Sequence, residues 1–135
     1  MQDNLNYQEE LMDIYKNPHN KGKLNKPSVS VSKQNPMCGD EIKLDLNIKN
    51  GIVEDAKFEG SACSVSVISS SILTDYLIGK KIEEVKKLTK EDLLKLINLN
   101  LTTSRVACAT LILSALEEGL KNYTKEIVKN YEKRN

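Results

Sequence analysis

The stretch EIKLDLNIKNGIVEDAKFEGSACSVSVISSSILTDYLIG, residues 41–79, decides the fold, because the hydrophobic period changes inside it. Ile42, Leu44, Leu46 and Ile48 alternate with charged or polar residues, the period of two that marks a half-buried strand. Asn50-Gly51 tolerates the positive φ values of a tight hairpin turn, so IVEDAKF (52–58) is expected to return as an antiparallel strand. After Gly60 the alternation stops. The residues that follow are small and apolar for long enough to predict a buried helix from near Cys63 to about Leu77, ending at Gly79.

Working outward from this stretch, Val29 and Val31 alternate with serines in SVSVS (28–32) and supply a further strand, making a three-stranded antiparallel meander. Tyr7, Leu11, Ile14 and Tyr15 recur at helical spacing, so a short amphipathic helix is expected over Asn6 to Lys16, before Asn17-Pro18. Pro18, Asn20, Gly22, Asn25 and Pro27 make residues 17–27 an extended loop. Downstream, Ile82 to Leu101 holds two short helical patterns, with Thr89 as an N-cap ahead of Glu91 and Asp92. From about Ser104 to Tyr131, Val106, Ala109, Leu113, Leu116 and Leu120 share one side of what should be the longest helix. Strands followed by a run of helices imply an α+β fold: a three-stranded antiparallel sheet with helices packed on one face and a long C-terminal helix. The 135 residues are expected to form a single domain over 1–135.

Composition narrows the function. Twenty basic residues against nineteen acidic ones leave a formal charge of +1, which gives no electrostatic reason to expect nucleic acid or anionic lipid as a partner. No stretch approaches the roughly 20 apolar residues of a membrane helix, and MQDNLNYQEELMD lacks the basic and apolar regions of a signal peptide, so a cytoplasmic location is expected. With five Tyr, one Phe and no Trp, the core must come mainly from Ile, Leu, Val and Ala. Three cysteines cannot all pair with one another, and a reducing compartment disfavours structural disulfides, which turns attention to metal binding or thiol chemistry.

Cys38 lies in NPMCGDEI, where Pro36 and Gly39 bend the chain and Asp40 follows two residues later, so a thiolate and a carboxylate project from one turn. Cys63 stands where strand gives way to helix, and the unpaired amides of a helix start favour a thiolate there. Cys108 sits in the first turns of the expected terminal helix, with Arg105 three residues earlier on nearly the same face to offset thiolate charge. Each has a plainer reading alone: an incidental cysteine beside a capping aspartate, a core cysteine, a core cysteine near a solvated arginine. Jointly they fall at junctions between elements, which can converge at one end of a sheet. Three thiolates and one carboxylate complete a tetrahedral zinc site or give asymmetric ligands to a two-iron cluster.

YKNPHNKG (15–22), NPMCGDEI (35–42), GIVEDAKFEG (51–60), SACSVSVISSSILTD (61–75), Gly79-Lys80 and RVACATL (105–111), taken in order, resemble the U-type iron–sulfur cluster assembly family that includes IscU, the N-terminal part of NifU, and SufU. The resemblance runs over nearly the whole chain. It implies one NifU/IscU-like domain that takes sulfur from a cysteine desulfurase, with Cys38, Asp40, Cys63 and Cys108 on the family's ligand positions and zinc or a transient [2Fe-2S] cluster as the bound group. Ala107 stands where IscU-like members carry a histidine, and LNLTTSR (99–105) replaces the LPPVK-type segment that recruits an Hsp70 chaperone. Both departures point to SufU, whereas the short interval between Cys63 and Cys108 lacks the insertion of about twenty residues typical of SufU proteins.

Three functions follow as expectations. The first is a sulfur acceptor in which metal displacement frees the Cys108 thiolate to take persulfide sulfur, which is relayed to a downstream scaffold. The second is a scaffold that builds a [2Fe-2S] cluster and hands it to apo iron–sulfur acceptor proteins. The third is a structural zinc module. None requires a stand-alone enzyme, and the free protein is expected to be a monomer. His19 is expected to be a solvated loop histidine. Lys80, Lys81, Lys86 and Lys87 read as a solvated face, and Ser69-Ser70-Ser71 as close helix packing, since no histidine base accompanies it.

Overall fold

A computed structural model describes residues 2–35, 39–98, 101 and 103–134, with side chains except at 2–8, 103, 104, 126 and 128–134. The elements run α1 (Gln2–Lys16), β1 (Val29–Asn35), β2 (Asp40–Lys49), β3 (Ile52–Glu59), α2 (Ser64–Leu77), α3 (Ile82–Val85), α4 (Lys90–Ile97), α5 (Thr103–Ala109) and α6 (Leu111–Arg134). This is the expected α+β order. The first helix begins at Gln2, four residues earlier than the apolar spacing implied.

The strands form one antiparallel sheet in the order β1-β2-β3. Asn50 and Gly51 adopt φ values of 54° and 74°, a two-residue turn whose twist matches that of the strands it joins. Ile48 pairs with Val53 and Asn47 with Asp55, leaving Glu54 as an extra residue. That bulge reverses the facing of β3, so Val53, Ala56 and Phe58 all enter the core although strict alternation would separate the first from the others. They meet Ile42, Leu44 and Leu46 of β2 and Val29 and Val31 of β1 on one face.

Helices α2 and α6 cover that face. Gly119 lets α6 lie directly on β1, since a Cβ there would stand 2.6 Å from Cγ1 of Val29. On the opposite face Asp45 is buried beneath the loop of residues 20–26: its carboxylate accepts from the Ser30 hydroxyl at 2.7 Å and the Leu24 amide at 3.2 Å. The same loop borders β3, with Phe58 N–H donating to Asn20 O and Gly22 N–H to Phe58 O.

The expected single terminal helix is in fact two, α5 and α6, joined by a turn at Thr110. Thr110 Oγ1 donates back to Val106 O at 2.9 Å, a local bond that bends helices. Beside it, the carbonyls of Cys108 and Ala109 accept from Ser66 and Ser69 of α2. Cys108 therefore closes a seven-residue helix and does not open a long one. No helix among the described residues is long and apolar enough to cross a membrane.

Candidate metal centre

The first residue of β2, the residue before α2 and the next-to-last residue of α5 meet at one end of the sheet. These are Asp40, Cys63 and Cys108, and one ligand atom from each lies within 4.8 Å of the other two. Asp40 has the same parity as Ile42 and Leu44, so its carboxylate turns inward under the helices and is 4% exposed. Cys63 is half-buried and Cys108 buried. Cys38 lies outside the described residues, as do Pro36 and Met37. On either side of them, Asn35 pairs with Asp40 in the strand register and accepts the Gly39 N–H at 2.8 Å.

Local sequence explains the convergence. Cys63 has extended backbone and caps α2 without a side-chain cap bond of its own. Asp40 serves instead: Oδ1 accepts the Cys63 amide at 3.0 Å and Oδ2 accepts the Ser66 hydroxyl at 2.7 Å. A carboxylate at a helix start is favoured by the unpaired amides there. The approach of the two segments needs Gly60, where a Cβ would strike the backbone carbonyl of Glu41. With that space free, the Glu41 amide donates to Ser61 O at 2.8 Å and locks the segment ahead of Cys63 to the start of β2.

Two sulfurs and a carboxylate oxygen suit zinc or iron. Ligands of a tetrahedral zinc stand roughly 3.5–3.8 Å apart for metal–ligand bonds of about 2.0–2.3 Å, so separations below 4.8 Å need only side-chain adjustment. Each carboxylate oxygen keeps a second lone pair while accepting its hydrogen bond, so Asp40 can hold its helix and still offer a donor.

The remaining candidates are not among these donors. Arg105 is exposed on α5, one turn before Cys108, and Ala107, directly before Cys108, is exposed and offers no donor. His19 is a loop residue, as expected, but has a partner: Nδ1 lies 2.6 Å from Asp75 Oδ2, whose other oxygen accepts from Asn20 at 2.7 Å. Lys81, Lys86 and Lys87 are exposed, while Lys80 lies over the ring of Tyr76 at 5.0 Å. Ser69, Ser70 and Ser71 are buried in helix packing. Ser66 was not singled out by the sequence. The only signal for it is position, one turn after Cys63 on the same side of α2.

Fold and donor set together define an α+β protein with a candidate metal centre of two thiols and one carboxylate. The family described as NifU-like N terminal domain matches residues 6–130, and the chain belongs to it. It is 40% identical over 131 residues to the zinc-dependent sulfurtransferase SufU of Bacillus subtilis, covering 84% of this chain and 88% of that protein. It is 34% identical over 135 residues to the iron–sulfur cluster assembly scaffold protein IscU of Thermotoga maritima, covering 88% and 95%. Among solved structures, the N-terminal NifU-like protein of Brucella abortus superposes with a TM-score of 0.71 at 18% identity, over 85% of this chain and 92% of that one. At that identity the likeness speaks for the fold alone.

Proposed function

We propose that this protein accepts sulfane sulfur from a cysteine desulfurase at a centre made of Cys38, Asp40, Cys63 and Cys108, and relays it to a downstream scaffold or apo acceptor. The observation that carries this reading is the cluster of two thiols and one carboxylate, with Asp40 and Cys108 buried and Cys63 half-buried. The similarity to a relative named as a zinc-dependent sulfurtransferase supports it. Zinc, when bound, would keep the sulfurs as thiolates. In the transfer, the Cys108 thiolate attacks the terminal sulfur of the desulfurase persulfide. The enzyme's S–S bond breaks, an S–S bond forms at Cys108, and the desulfurase cysteine leaves as a thiolate, with no net oxidation. Arg105 would offset the charge of the persulfide. Cys108 is 3% exposed, so acceptance requires α5 to move away from α2, breaking the Ser66 and Ser69 hydroxyl bonds to its last two carbonyls.

The test is desulfurase turnover with the parent chain and with Cys108→Ala, together with mass spectrometry of the Cys108 peptide for one added sulfur. Stimulation should be lost and the added sulfur absent in the variant. Equal stimulation by Cys108→Ala would falsify the mechanism.

A second reading has an observation of its own. The chain is similar to the IscU scaffold of Thermotoga maritima over 95% of that protein, and a carboxylate such as that of Asp40 would hold iron less firmly than the neighbouring thiolates, leaving a position where a cluster can be opened. On this reading a [2Fe-2S] cluster is cargo. Anaerobic reconstitution should then yield a chromophore transferable to an apo-ferredoxin, and its absence would leave sulfur acceptance alone.

A further inference from the structure

Ser66 is the third residue of α2 and is 1% exposed. Its hydroxyl oxygen lies 2.7 Å from Asp40 Oδ2, 2.9 Å from the carbonyl oxygen of Cys108 and 3.7 Å from Cys63 Sγ. One buried group thus touches three residues of the centre. A serine hydroxyl carries a single proton, so the Asp40 carboxylate and the Cys108 carbonyl compete for it, while its lone pairs are open to a Cys63 S–H. The hydrogen bond to the carboxylate is the stronger of the two, being charge-assisted.

Asp40 is oriented from two sides by the first turn of α2, through the Cys63 amide on Oδ1 and the Ser66 hydroxyl on Oδ2. The amide sets how closely the carboxylate approaches the helix. The hydroxyl sets its rotation about the Cβ–Cγ bond, and through the Cys108 carbonyl it sets where α5 ends relative to that carboxylate.

We propose that Ser66 is a positioning residue of the centre: its hydroxyl fixes the Asp40 carboxylate and couples it to the backbone of Cys108, so that the two donors are held in register. This rests on the reading of Asp40 as a metal ligand. Partners of this kind, hydrogen-bonded to a ligand without touching the metal, commonly govern about 10–100-fold in affinity. Ser69 makes the comparable bond to the Ala109 carbonyl but touches no carboxylate, so it docks α5 without orienting a donor.

The experiment is zinc affinity, measured by competition with a chromophoric chelator, on the full chain and its Ser66→Ala, Asp40→Ala and doubly substituted forms. Absorption of the cobalt(II)-loaded proteins would be recorded in parallel. Ser66→Ala should weaken zinc about tenfold or more and shift the cobalt ligand-field bands, while adding less than about twofold in the Asp40→Ala background. Parental affinity and bands for Ser66→Ala, or an equal loss with and without Asp40, overturns the proposal. If Asp40→Ala itself binds zinc as the parent does, the ligand reading falls and this inference with it. If Ser66→Ala fails to fold, Ser66→Thr and Ser66→Val form a same-shaped pair that differs by the hydroxyl. Thr should bind at least about tenfold tighter than Val, and equality overturns the proposal.

Discussion

A side chain on Gly60 would collide with the Glu41 carbonyl, and its φ of +142° is one that L residues rarely adopt. The glycine lies three residues before Cys63, so its substitution should disturb the centre as well as the fold. Gly60→Ala is expected to cost about 3 kcal/mol in denaturant unfolding, combining backbone strain with the clash, and to weaken zinc binding in the same preparation. Ser70 behaves oppositely. Its hydroxyl is buried with no hydrogen-bond partner among the described residues, so Ser70→Ala removes a desolvated polar group without opening a large cavity. It should raise stability by about 1 kcal/mol, read as a higher denaturation midpoint with an unchanged slope. At this scale the sequence exposed the sulfur and carboxylate chemistry, because cysteine is scarce, with 3 in the chain, and Asp40 stands two residues from one of them. It hid Ser66, which looks like any small residue in a buried helix until Asp40 and Cys108 are brought to it from 26 and 42 residues away.

Among the elements, α4 was legible to its first residue. Thr89 accepts the Asp92 amide at 3.2 Å and Asp92 accepts the Thr89 amide at 3.0 Å, a reciprocal capping box. The Thr89 amide holds the Asp92 carboxyl below its ordinary 3.8. A lowered folded value means that the ionised carboxylate stabilises the fold above the unfolded value, and that this contribution is lost as pH falls through the folded one. Asp92→Asn should therefore reduce stability at neutral pH, and its difference from the parent should shrink below about pH 4 in pH-dependent denaturation. A difference constant with pH would contradict the assignment. The division of the terminal helix was not legible, because the apolar stripe from Val106 to Leu120 continues through Thr110. Thr110 bends the chain there by its bond back to Val106 O, and two carbonyls are captured by serines of α2, a contact between elements that no local pattern records.

For the whole molecule, the hydrophobic core joins the sheet to α2, α4 and α6 without calling on the centre to bridge them. Chelation should accordingly leave far-UV circular dichroism unchanged and unfolding cooperative. Tm should fall by about 10 °C relative to protein saturated near 100 times its dissociation constant for zinc. Collapse of the secondary structure on chelation would instead identify a structural zinc module. The sequence by itself determined the strand and helix periods, the Asn50-Gly51 turn, the Thr89 cap and the types of donor available, because each depends on residues within a few positions of one another. Tertiary structure alone decided the Glu54 bulge, the capture of the last α5 carbonyls by α2, the close approach at Gly60 and the placing of Asp40, Cys63 and Cys108 around Ser66. These are set by which surfaces pack together, and packing at an end where a strand and two helices meet is a property of distance in space that spacing along the chain does not encode.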